Sequence, residues 1–94
     1  MTSAIVHHFP GGTRENYDAS IAAVHRANGL PEGQIFHAAG SSPGGWTILV
    51  VHESKQSWER FRDDILMPRM QAGIDGGFPT PSQETEVKVS TLMP

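Results

Sequence analysis

Ile48, Leu49, Val50 and Val51 form an unbroken apolar run inside the segment 46–52 (WTILVVH). Side chains alternate between the two faces of a strand, so four consecutive apolar residues make both faces apolar. Such a strand belongs in the middle of a sheet, with cover needed in front and behind. The chain has 94 residues with which to supply it. That length suits one hydrophobic core, so a single domain over residues 1–94 is expected.

The rest of the chain is cut into short periodic segments by three glycine-rich breaks, at Pro10-Gly11-Gly12, at Ser41 to Gly45 and at Gly73 to Pro81. Clusters of this kind mark turns. Residues 3–9 (SAIVHHF) are β-branched and aromatic and predict a strand. Thr13 offers a helix N-cap, with Glu15 in the first turn where the helix dipole favours an anion. Tyr17, Ile21, Val24 and Ala27 recur at helical spacing, His25 sits late in that helix, and Asn28-Gly29 ends it.

Residues 34–39 predict a second strand, joined through a hairpin over Pro43-Gly44-Gly45 to the third, 46–52. Ser54 caps a second helix. Trp58, Phe61 and Ile65 share its inner face, and Lys55–Glu59 and Arg60–Asp64 are spaced to pair on the outside. Pro68 opens a separate short helix that ends near Gly73. Residues 84–92 alternate Val87 and Val89 with polar neighbours, as a half-solvated edge strand does.

The order β-α-β-β-α-β is the ferredoxin-like split motif. It predicts an α+β fold with a four-stranded antiparallel sheet in the order 4-1-3-2 and both helices on one face. The helices then leave the other face bare, about 380 Å² in plan for four strands of roughly six residues. A second copy of that face would cover it. Burial on two subunits contributes very roughly 15–20 kcal/mol before the costs of association. A homodimer through sheet faces is therefore expected, the alternative being a monomer with a merely apolar third strand.

Composition narrows the function classes. Lys+Arg is 7 against Asp+Glu 10, a net charge of -3. No basic face is available for counterion release, so no nucleic-acid partner is expected. No apolar run approaches about 18 residues, so no membrane partner is expected. The absence of cysteine excludes thiolate catalysis and cysteine-ligated zinc. The start MTSAIVHHF lacks a signal-peptide pattern, so the cytoplasm is the expected location.

The segment His52-Glu53-Ser54-Lys55-Gln56-Ser57-Trp58-Glu59-Arg60-Phe61 is a strand ending in His, a capping Ser, then two aromatics three residues apart. With the element order, it resembles the dimeric α+β barrel superfamily, and within it the antibiotic-biosynthesis-monooxygenase-like group. Pro10-Gly11-Gly12-Thr13 with Tyr17, and Phe36-His37-Ala38-Ala39-Gly40, are similar to small bacterial members. The resemblance implies a ligand pocket between sheet and helices in each subunit of a homodimer. Some members oxidise aromatic polyketides without metal or flavin, others degrade haem, and many have no known activity. The essential Asn, Trp and axial His of the haem-degrading members fall near His7 or His8, on Phe61 and near Gln71. Glutamine does not replace an axial imidazole, so haem is not expected.

Five histidines stand out among the ionisable groups. His7 and His8 lie on opposite faces of the first strand. One of them, with His37, is the candidate general base or hydrogen-bond donor of a pocket, because an imidazole titrates near working pH and accepts a proton from a phenol or enol. The alternative for each is a plain core or interface histidine.

Tyr17, Phe36, His52, Trp58, Phe61, Met67 and Met70 are the candidate lining of such a pocket; as a stripe at helical spacing, Trp58, Phe61, Met67 and Met70 are more often plain core. With a hairpin turning at 41–44, His37 lies opposite about Ile48, and His52 is on the order of 13 Å away. His7 or His8 is about 9.6 Å from His37 across two strands. These separations do not suit shared metal ligation, and no metal or other cofactor is expected.

Three functions follow. The first is cofactor-independent oxidation of a phenolic or polyketide-like substrate, or another small hydrophobic or aromatic ligand. The second is a non-catalytic ligand-binding or stress-associated dimeric module. The third is a structural dimerisation domain.

Overall fold

The structure, a computed structural model, describes residues 2–24 and 29–92. The elements are β1 (Ser3–Pro10), α1 (Arg14–Val24), β2 (Gln34–Ser42), β3 (Gly45–His52), α2 (Lys55–Phe61), a π-helical turn (Arg62–Leu66), α3 (Met67–Ala72) and β4 (Gln83–Lys88). The strands form one antiparallel sheet in the order β2-β3-β1-β4, the ferredoxin-like arrangement. His25, Ala27 and Asn28, expected at the end of the first helix, lie outside the described residues.

The register shows how the faces divide. Ile5 pairs with Val50, His7 with Ile48 and Phe9 with Trp46. All six are buried. Together with Trp58 and Phe61 of α2, the apolar members of this set make the core, against which Tyr17, Val24, Leu66 and Phe78 pack. The alternate residues, Val6 opposite Leu49 and Ala4 opposite Val51, face the other way. Phe36 and Val87 share that outer face and are 47% and 44% exposed.

The helix starts are built locally. Thr13 Oγ1 accepts the Asn16 amide N–H at 3.1 Å, and Asn16 Oδ1 accepts the Thr13 N–H at 3.1 Å, a reciprocal cap. Ser54 accepts the Ser57 N–H at 3.0 Å and opens α2.

Four details differ from the sequence-based expectation. The first is the hairpin, which turns over Pro43 and Gly44 alone, with Ser42 opposite Gly45 and Gly44 at φ +83°. This tighter turn puts His37 opposite Val50 rather than Ile48, two residues nearer His52.

The second is the approach to α3. Pro68 sits in its first turn and Gly73 caps its end, as expected, but the helical path runs on unbroken from α2 through the π turn, where the Met67 N–H reaches back to the Arg62 carbonyl. The wider turn accommodates the N–H that proline lacks. It also adds a residue to the helical repeat, so the inward position after Trp58 and Phe61 falls on Leu66. Ile65, expected inside, is 37% exposed.

Third, Lys55 Nζ lies 3.6 Å from Glu86 of β4 in place of Glu59, and Arg62 pairs with Asp63 at 2.9 Å. Fourth, β4 spans 83–88, and all six of its residues are exposed rather than half solvated.

Candidate functional site

Between the sheet and the helices lies a half-open cavity of about 490 Å³. Its floor is the inner face of three strands: His7 and Phe9 of β1, Ile48 and Val50 of β3, Gln34 and His37 of β2. Ile21 and Val24 of α1 form one side; Trp58, Phe61 and Leu66 form another, continued by Met67 and Met70. The loop after α3 closes over it through Ile74 and Phe78. Asn16 holds this loop by donating from Nδ2 to the carbonyls of Gly76 and Gly77 at 3.1 and 3.2 Å, and Phe78 stacks on Phe9 with ring centres 3.7 Å apart.

The wall is apolar, with a few polar groups converging on it. His7 Nδ1 lies 3.1 Å from Ser82 Oγ, and its ring sits 5.4 Å from that of Trp58. Burial, with His37 adding a smaller repulsion, lowers the His7 pKa to about 4. The ring is therefore neutral at pH 7, and its 3.8 Å approach to Glu84 is not an ion pair there. Burial also pushes the Glu84 carboxyl up, and lowers His37. Ser20 Oγ and Trp58 Nε1, both buried in residues of the wall, have no hydrogen-bond partner among the described residues.

From His37 a row of polar side chains runs into the protein. Its Nε2 lies 2.7 Å from the Tyr17 hydroxyl and its Nδ1 2.9 Å from Gln34 Oε1. Gln34 Nε2 lies 3.2 Å from His52 Nε2, and His52 Nδ1 lies 3.0 Å from Ser57 Oγ. Gly33, at φ +84°, lets the backbone pass against Ser57, because a Cβ there would overlap the Ser57 hydroxyl. His52 is fully buried and its pKa is lowered by desolvation.

Of the residues singled out from the sequence, the cavity gathers His7, His37, Trp58, Phe61, Met67 and Met70. Tyr17 and His52 stand behind the wall, joined to it through His37 and Gln34. His8 and Phe36 belong to the outer face: His8 Nδ1 lies 3.1 Å from Thr47 Oγ1, and Phe36 is half exposed. Gln34 and Ser57 escaped the sequence reading. Neither carries a motif; register brings Gln34 to the histidines, and the packing of α2 brings Ser57 to His52. No three His, Asp or Glu side chains converge as a metal site would require, among the described residues. None of the described helices is long and apolar enough to cross a membrane.

The chain is similar to the solved structure of Rv0793 from Mycobacterium tuberculosis, with a TM-score of 0.66 and 14% identity over 97% of this chain and 96% of that one. At that identity the likeness shows the fold alone. No protein-family model matches the chain, and no curated protein does.

Proposed function

We propose that the protein binds a small aromatic ligand bearing a hydroxyl or enol, in the manner of the antibiotic-biosynthesis-monooxygenase-like group, and works as a homodimer joined through the outer sheet face. The observation that carries this reading is the cavity itself: an apolar space of about 490 Å³ with two neutral imidazoles, His7 and His37, flanking the Ile48–Val50 ridge of β3. An apolar pocket with a few converging polar groups is the form that ligand sites take. Neutral imidazoles accept a hydrogen bond from a hydroxyl and tolerate an uncharged ligand.

His7 is a poor base for a phenol. Moving a proton from an ordinary phenol, of pKa about 10, to His7 at about 4 is uphill by about six units, or about 8 kcal/mol. His7 therefore serves as a hydrogen-bonding group. Because His37 Nε2 accepts from the Tyr17 hydroxyl, the ligand's proton reaches it through that hydroxyl; His37, the less buried of the two, is the base if a reaction follows. Its product is an electron-rich anion, which can pass an electron to dioxygen without metal or flavin. Without that transfer the same site is a binder.

The outer face supports the homodimer. Val6, Phe36, Leu49 and Val87 form an apolar patch that the helices do not cover, and a second copy of the chain presents the matching surface.

Anthrone-type phenols test the reading by two measurements, binding by fluorescence quenching of the tryptophans and oxygen uptake. Saturable binding that Trp58→Ala or Phe61→Ala weakens is expected. Binding with uptake abolished by His37→Gln marks an oxygenase, binding without uptake marks a ligand-binding module, and no binding across the panel sinks the pocket reading.

A further inference from the structure

Gln34 and His37 are three residues apart, and in a regular strand such residues point to opposite faces. Here they share the inner face because β2 carries a bulge between Gln34 and Phe36. Gln34 pairs with His52, Phe36 with Val51 and His37 with Val50, leaving Ile35 as the extra residue. The bulge interrupts the ladder and leaves Ile35 50% exposed, while it sets the Gln34 amide, 6% exposed, between two imidazoles. Bulges are over-represented where a side chain is re-aimed beside a site.

The donors and acceptors in this row follow from the placement of the Gln34 amide, with Oε1 toward His37 and Nε2 toward His52. A carboxamide oxygen only accepts, and its nitrogen only donates. Gln34 Oε1 faces His37 Nδ1, so His37 carries its proton there, and its Nε2 accepts the Tyr17 O–H. Gln34 Nε2 faces His52 Nε2, so that nitrogen accepts, and His52 donates from Nδ1 to Ser57 Oγ. Both rings come out neutral, in agreement with the burial that lowers both pKa values.

We propose that Gln34 is the positioning residue of this site: one buried amide, delivered by the bulge at Ile35, holds His37 and His52 together in the Nδ1–H tautomer and keeps His37 Nε2 an acceptor. Unconstrained histidine prefers the Nε2–H form, so the amide imposes the less common state twice. The same Nδ1–H bond to Gln34 persists if His37 takes up a proton at Nε2. Gln34 thus orients the base in both protonation states, as a third group orients the histidine of a catalytic triad. Its bearing on a bound phenol rests on the reading of the cavity above; the tautomers do not.

Long-range proton–nitrogen NMR correlations on the full chain, labelled at histidine, read the tautomers without any ligand. Wild-type His37 and His52 are expected as Nδ1–H at neutral pH. Gln34→Glu keeps the shape but offers only acceptors, so His52 must gain a proton on Nε2 while His37 keeps Nδ1–H, and the titrations of both move upward in pH. Gln34→Met releases both rings toward Nε2–H; if that variant does not fold, wild type and Gln34→Glu decide. Nε2–H at both rings of the wild type, or a His52 signature unchanged by Gln34→Glu, overturns the proposal. Expected tautomers with no phenol binding break the ligand reading alone. Reversed tautomers with binding intact break this one alone.

Discussion

The two faces of the sheet are made by alternate residues of the same strands, yet they differ in kind. On the inner face, His7, Gln34 and His52 are buried beside Ile5, Val50 and Trp58, and polar side chains are joined in a continuous row. On the outer face, Phe36, Leu49 and Val87 stay 47%, 37% and 44% exposed, and the polar side chains that hydrogen-bond there, His8, Ser42 and Thr47, are only half-buried. Burying a polar group is costly unless its hydrogen bonds are met, so the joined row makes the inner face costly to change and specific in shape. The outer face offers apolar area and little directionality. Under the proposed function, the inner side takes the ligand and the outer side the second copy of the chain.

The largest expected effect falls on the outer face. Light scattering is expected to find a particle of twice 10.2 kDa, and Leu49→Glu with Phe36→Glu to halve that mass while the circular dichroism of the fold persists. A single 10.2 kDa particle for the wild type would remove the contrast between the faces.

Next in size is Trp58→Ala on the inner face. Trp58 is 1% exposed, and its truncation should cost about 3–5 kcal/mol in denaturant unfolding. A loss under about 1 kcal/mol would mean the cavity already relieves packing there.

Acid distinguishes the faces third. His7 has a folded pKa of about 4 against an unfolded 6.5, so the unfolded chain binds the extra proton first. Its contribution is complete above pH 6.5 and is lost as pH falls toward 4, about 3 kcal/mol in all. His37 and His52 add to the same slope. Glu84, raised by burial, opposes it, because its contribution is present at low pH and lost as pH rises. His7→Gln should flatten the stability profile between pH 4 and 6.5, and an unchanged slope would contradict a buried neutral His7.

The smallest effect lies outside both faces: Ser54→Ala should cost about 1 kcal/mol by leaving the Ser57 N–H without its cap, measured by thermal unfolding.

Much of the architecture was legible from residue pattern. The run Ile48–Val51 announced the central strand, Ser54 the start of α2, and the β-α-β-β-α-β order the sheet topology that the structure has. Ile65 was misread because the helical repeat was carried unbroken through 62–66; only the π turn moves the inner position to Leu66. Phe36 was counted among the lining because an aromatic in a strand suits either face, and register alone decides which. In the candidate site, the histidines were legible as unusual residues. Gln34 and Ser57 were not, since an amide or a hydroxyl acquires meaning only from what it faces.

Alternation and turn chemistry are local properties, and they determined the strands, the helices and their order along the chain. A bulge of one residue flips the face, a two-residue turn moves the register by two positions and a widened helical turn advances the repeat by one, and their effects appear only when strands pair and helices pack. The bulge and the turn decided that His37, Gln34 and His52 meet on one face. A hydrogen bond depends on fractions of an ångström between segments far apart in the chain, and no local pattern encodes that distance.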